Sequence, residues 1–177
     1  TPPLPTATPH PSTTPAPIQE KEKERKSLVL VAFNLPVFLY RTEDPHTHEL
    51  SWRAEWDADN VAAKTEGSVA GAMDVKWIGA VTPSVVRSKA DFSWSFTLAE
   101  KDRITAALAE IGDVVPVFID EETYDGHYSQ FCKTRLWDIF HNVLRPKFSA
   151  QPSAPYSAYQ RGNALFAGEV AKRLPDK

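Results

Sequence analysis

Asp120, Glu121 and Glu122 place three carboxylates directly after the apolar segment 114–119 of this 177-residue chain. Carboxylates so grouped can serve as a general base or hold a divalent cation. The same residues suit a helix N-terminus, where the helix dipole favours negative charge. His46 and His48 stand two apart in a polar stretch, a spacing that puts both imidazoles on one side of an extended segment. That pattern offers either two metal ligands or two solvated rings. Cys132 is the single cysteine and has no base partner close in sequence, so it reads as a small, half-buried hydrophobe rather than a nucleophile. The small-residue stretch 66–72, with Gly67, Ser68 and Gly71, comes nearest to a phosphate loop that opens a helix; no GxGxxG or Walker-type pattern is present. Residues 124–141 gather Tyr124, Tyr128, Phe131, Trp137, Phe140 and His141, an aromatic density beyond what a small core requires. Core packing on a helix explains Trp137 and Tyr128 as readily as a ligand wall does.

These residues need elements to position them. LVLVAF at 28–33, VKWIGAV at 75–81 and VVPVFID at 114–120 are continuous apolar runs of strand length, suited to strands buried on both faces, the first of them central. Residues 36–41 and 49–56 flank the turn-rich TEDPHTH and predict a β-hairpin. A short helix is expected within 59–73. Thr97 three residues before Glu100, an apolar stripe at Leu98, Ile104, Ala107, Leu108 and Ile111, and Gly112 beyond it predict a helix with a capping box. A mostly helical region over 121–144 and a last helix from about residue 155 to 174, with Ser153 as its N-cap, complete the chain. Buried strands alternating with helices indicate an α/β fold built on a mainly parallel sheet. In such sheets ligands bind beyond the carboxyl ends of the strands, here at Asn34-Leu35-Pro36, Thr82-Pro83 and the acidic triplet.

Lys and Arg number 20 against 23 Asp and Glu, a net charge of −3, which excludes a polyanion binder acting through bulk charge. Seven of the 15 prolines fall in residues 1–17, and residues 1–26 read as a disordered Pro-rich tail or linker. One domain, 27–177, is expected to follow. The lone cysteine and the lack of a signal-peptide or membrane-length apolar run predict a cytoplasmic chain with no membrane or nucleic-acid partner.

The pattern Tyr128, Gln130-Phe131, Trp137, Phe140-His141 after a strand and an acidic pair resembles the first lobe of the trehalose-6-phosphate synthase family, in which a tryptophan stands nine residues after the tyrosine. LVLVAFNLPV at 28–37, KWIGAV at 76–81 and AYQRGNALFAGEV at 158–170 match further family segments in the same order. The resemblance implies the Rossmann-like first lobe of a GT-B retaining glycosyltransferase. In the family, residues at the positions of Tyr128 and Trp137 help hold a glucose 6-phosphate acceptor.

Departures accompany the match. Where the family carries an arginine for the acceptor phosphate, this chain either has Asn34 at the aligned position or has lost the arginine by deletion, and an amide cannot replace a guanidinium fork on a phosphate dianion. The family's paired glycines survive only as Gly67-Ser68. The second-lobe arginine–lysine clamp on the nucleotide-sugar diphosphate lies outside the resemblance, so no transferase activity, no catalytic residue, no metal and no cofactor is expected here. The implied role is a non-catalytic or regulatory synthase-like domain, either of a regulatory subunit or of a trehalose-phosphate phosphatase. It would work with subunits of the synthase/phosphatase complex and bind glucose 6-phosphate weakly at a degenerate site of Tyr128, Trp137 and Asn34. The alternative is an N-terminal fragment of an active UDP-glucose-dependent synthase.

Overall fold

In the computed structural model, which describes residues 26–69, 71–143 and 154–174, the three apolar runs become one parallel sheet. Its strands are β1 (Lys26–Asn34), β4 (Met73–Ala80) and β5 (Val114–Val117), in the order β1-β4-β5. Between β1 and β4 the chain makes the antiparallel hairpin β2 (Val37–Glu43) and β3 (Leu50–Trp56), then helix α1 (Val61–Val69). Helix α2 (Leu98–Ala109) precedes β5. The chain then runs through a short α3 (Glu121–Tyr124), a π-helical stretch Asp125–Leu136, and α4 (Trp137–Phe140). Helix α5 (Ala154–Ala171) packs back on the π-helical stretch and the sheet. The fold is the mixed α/β arrangement of a Rossmann-like GT-B lobe, a mainly parallel sheet with flanking helices plus a hairpin. Residues 1–25 and the expected N-cap Ser153 lie outside the described residues, and Lys26 already belongs to β1.

The expectation that β1 is central is corrected. Among the described residues it pairs only with β4, and Val31 is 51% exposed. A doubly apolar run shows that neither face is polar, but it carries no information on strand order. The middle strand is β4, whose Ile78 and Ala80 are fully buried.

Side chains of successive strand residues point to opposite faces, so each strand feeds two cores. Trp77 and Val114 meet Ile104 and Leu108 of α2 together with Leu39, Trp52 and Ala54 of the hairpin. Ile78, Ala80, Val115 and Val117 meet Phe166 of α5 on the other side. The capping box of α2 is present: the Thr97 hydroxyl accepts from the Glu100 amide at 3.3 Å, and the Glu100 carboxylate accepts from the Thr97 amide at 3.0 Å. The hairpin loop closes on Asp44, whose carboxylate accepts from the amides of His46 and Thr47, both at 2.8 Å. It is tied to the body of the lobe where the Leu39 amide donates to Val85 O and the Arg87 amide to Leu39 O, each at 2.9 Å.

Two close approaches set the geometry below. A Cβ on Gly79 would lie 2.8 Å from Leu35 Cδ2, so the glycine of the KWIGAV strand is what lets the turn after β1 fold over β4. On the other face, α5 and the π-helical stretch interlock: a Cβ on Gly162 would lie 2.5 Å from His127 Cδ2, and one on Gly126 would lie 2.5 Å from Ala158 Cβ. Among the described residues no helix is long and apolar enough to cross a membrane.

Candidate functional site

The carboxyl ends of β1, β4 and β5 open on one side of the sheet, where a ligand crevice is expected in this architecture. At the end of β1, Asn34 does not stand free. Its Oδ1 accepts a 2.8 Å hydrogen bond from the hydroxyl of Thr82, just beyond β4, and that hydroxyl accepts from the Ser84 amide at 3.3 Å. Thr82 is fully buried, so the pair ties the ends of two strands together across the mouth of the sheet.

The turn continues to Pro36, whose carbonyl accepts from the Asp57 amide at 3.0 Å, which brings the start of α1 to this side. Asn60 caps that helix, its Oδ1 accepting from the Ala62 amide at 2.9 Å, and Asp57 accepts from the Asp59 amide at 3.1 Å. A helix N-terminus is where a phosphate would be cradled, yet here it is flanked by Asp57 and Asp59. Gly67 and Ser68, the expected remnant of a donor loop, fall instead in the last turn of α1, at the negative end of its dipole. Among the described residues nothing lies within 4 Å of a Cβ built on Gly67.

Below β5, Asp120 is the N-cap of α3: its carboxylate accepts from the amide and the hydroxyl of Thr123, both at 2.8 Å. The Thr123 amide holds the Asp120 pKa below the usual carboxylate value. Glu122 pairs with Arg161 of α5 at 2.7 Å. With Trp94, Ser95, Glu121 and Asp125 these residues line an open cleft of about 580 Å³. Its carboxylates are committed to capping and ion pairing, or face solvent.

Tyr128 lies beside the end of β1. Its ring stacks on Phe33 with centroids 4.7 Å apart, and Lys133 Nζ sits 4.6 Å from the ring centroid. The other stacked neighbour of Phe33 is His127, at 4.8 Å. Trp137 is 57% exposed and stacks on His141 at 3.8 Å. The structure therefore places Tyr128 and Asn34 at the end of one strand, with Trp137 on the exposed surface of α4. His48 has left-handed backbone (φ 56°) and its Nδ1 lies 2.6 Å from Glu43 in the hairpin loop; no group of three or more metal-ligating side chains occurs among the described residues. Sequence reasoning missed Thr82 as the partner of Asn34, and it missed the Asp57–Asp59 flank of α1. The Asp-x-Asp-Asn spacing before Val61 is a helix-start signal that marks the second.

Comparison with known sequences agrees with this fold. The model of glycosyltransferase family 20 matches residues 26–177, nearly the whole of the chain. The chain belongs to glycosyltransferase family 20. Among the relatives it resembles, an alpha,alpha-trehalose-phosphate synthase [UDP-forming] of Aspergillus fumigatus is 25% identical over 162 residues, covering 90% of this chain and 27% of that protein. One from Arabidopsis thaliana is 27% identical over 151 residues, covering 82% of this chain and 14% of that protein. A third, from Aspergillus niger, is 41% identical over 64 residues, or 36% of this chain and 12% of that protein. The family-20 chain described here thus spans less than a third of the length of these relatives. It is a synthase-like domain of the kind found in trehalose biosynthesis.

Proposed function

We propose that this family-20 domain is non-catalytic and regulatory, a scaffold within a cytoplasmic trehalose synthase/phosphatase complex, with only weak contact to glucose 6-phosphate along Tyr128. The Asn34–Thr82 hydrogen bond is the observation that carries the reading. A phosphate dianion at the end of β1 needs a cationic fork. The side chain there is a neutral amide already engaged by a buried hydroxyl, and the adjoining helix start bears Asp57 and Asp59.

The test is to supply the purified chain with UDP-glucose and glucose 6-phosphate and to assay trehalose 6-phosphate. In parallel, glucose 6-phosphate is titrated against tryptophan fluorescence, with Trp137→Phe and unphosphorylated glucose as controls. No product and half-saturation no tighter than about 1 mM are expected, corresponding to about −4 kcal/mol of binding. Product formation or micromolar affinity refutes the proposal. Association with a catalytic synthase subunit at micromolar concentration is expected, and its absence removes the scaffolding role.

A second reading, a fragment of an active UDP-glucose-dependent synthase, draws on the placement of Tyr128 beside β1, where an acceptor wall would stand. Asn34→Arg separates the two. A sharp gain in glucose 6-phosphate affinity would show the native site to be a degraded one, as the scaffold reading holds; the fragment reading expects little gain, because Asn34 would already stand in a working site.

A further inference from the structure

A cavity of about 150 Å³ lies between β1 and α5, lined by Val31, Phe33, His127, Asn163 and Phe166. It is separate from the crevice at Asn34 and Thr82. No charged side chain lines it, and three of its five walls are apolar. His127 is 6% exposed, and its Nε2 is buried without a hydrogen bond. Burial holds the His127 pKa below its usual value, against the Asn163 side chain, which favours the protonated ring. The ring is neutral at physiological pH.

The other ring nitrogen, Nδ1, lies 3.8 Å from Cys132 Sγ, a weak contact in which a thiol can donate or accept. A buried ring nitrogen with no partner is unfavourable until a hydrogen-bonding group reaches it. A cavity of this size holds a single six-membered ring.

We infer that this cavity binds a small uncharged molecule with an apolar body and one hydroxyl, of the size of phenol or cyclohexanol. Its hydroxyl pairs with His127 Nε2 beside Asn163, while Phe33, Phe166 and Val31 flank its body. An ion finds no counter-charge in the lining. A hexose brings more hydroxyls than the two polar side chains can satisfy, and each one left over in an apolar pocket is penalised. The inference does not depend on the scaffold reading, since no residue of the cavity is used there.

The experiment follows the His127 ring nitrogens by long-range proton–nitrogen NMR in the whole chain, with phenol, cyclohexanol, benzene and glucose as probes. Phenol and cyclohexanol are expected to shift Nε2 saturably at millimolar concentration. Benzene should bind about tenfold more weakly, the worth of one hydrogen bond, and glucose should leave the signal unmoved. Val31→Trp, at a half-exposed edge position, should fill the mouth and abolish binding without loss of folded circular dichroism. His127→Phe keeps the ring stack and should erase the preference for phenol over benzene, read from protein amide shifts. No saturable response at Nε2, equal affinity for phenol and benzene, a response to glucose, or binding that survives Val31→Trp in a folded chain overturns the inference.

Discussion

Removing either partner of the Asn34–Thr82 hydrogen bond should destabilise the lobe, and removing both should cost less than the sum. Asn34→Ala leaves the fully buried Thr82 hydroxyl without its acceptor at 2.8 Å. An orphaned buried donor costs about 1–3 kcal/mol. Thr82→Val keeps the shape and removes the hydroxyl; the half-buried Asn34 amide can turn toward water, and the Ser84 amide loses a long contact of 3.3 Å. That change should cost about 1 kcal/mol. In the double variant no hydroxyl is left to strand, so the coupling should be about 1 kcal/mol, well above the scatter of roughly 0.3–0.5 kcal/mol seen for independent sites. Each kcal/mol should lower Tm by about 2–4 °C for a domain of this size. The assay is urea unfolding of all four proteins, read by circular dichroism and tryptophan fluorescence, with unchanged m-values as the condition for comparison. Additive costs within the scatter would show that the two side chains do not support each other, and the tie across the strand ends would fall.

Gly162→Ala should destabilise the lobe by about 1–3 kcal/mol through overpacking, because its Cβ would meet His127 at 2.5 Å. Gly168→Ala in the same helix, with nothing within 4 Å of the new Cβ, should instead stabilise by up to about 1 kcal/mol; thermal melts of the two variants give the comparison. Thr97→Ala should cost about 0.5–2 kcal/mol as a lost N-cap, also measured by urea unfolding. The Thr97 amide is the main cause that holds the Glu100 pKa below its ordinary value of 4.5. The stability Glu100 contributes is therefore complete above that value and lost as pH falls through the lower folded one. Glu100→Gln should then cost more at neutral pH than in acid, and an equal cost across a pH series of melts would refute it.

Local patterns were legible where a short stretch of chain decides the outcome. Thr97, Glu100 and the stripe at Ile104, Ala107 and Leu108 give a helix wherever they stand, and it is found there with its capping box. The hairpin was readable from its turn chemistry, and Asp44 closes that turn through its own carboxylate. Strand order was not readable, because LVLVAF would look the same at the edge or in the middle of a sheet. The π-helical stretch Asp125–Leu136 escaped a 3.6-residue template, since hydrogen bonds such as Trp137 N to Cys132 O span five residues. Asn34 was read as a neutral residue where the resemblance implies a phosphate contact. Its partner lies 48 residues away, and only the parallel pairing of β1 with β4 brings the two together.

The hairpin also bears on how the lobe assembles. Lys26 of β1 and Met73 of β4 are partners across the parallel sheet but stand roughly 47 residues apart in the chain, a long loop for an unfolded polypeptide to close. Within that loop, Val37 pairs with Trp56 and Glu43 with Leu50, contacts that form locally and fast. Once zipped, the hairpin brings together two points roughly 19 residues apart and so shortens the search that β1 must make to find β4. The same hairpin carries Leu39, whose bonds to Val85 and Arg87 form only when the strand after it has arrived. In kinetic terms it acts first as a nucleus and then as a latch, so substitutions in its turn should slow folding, whereas those at Leu39 should mainly speed unfolding.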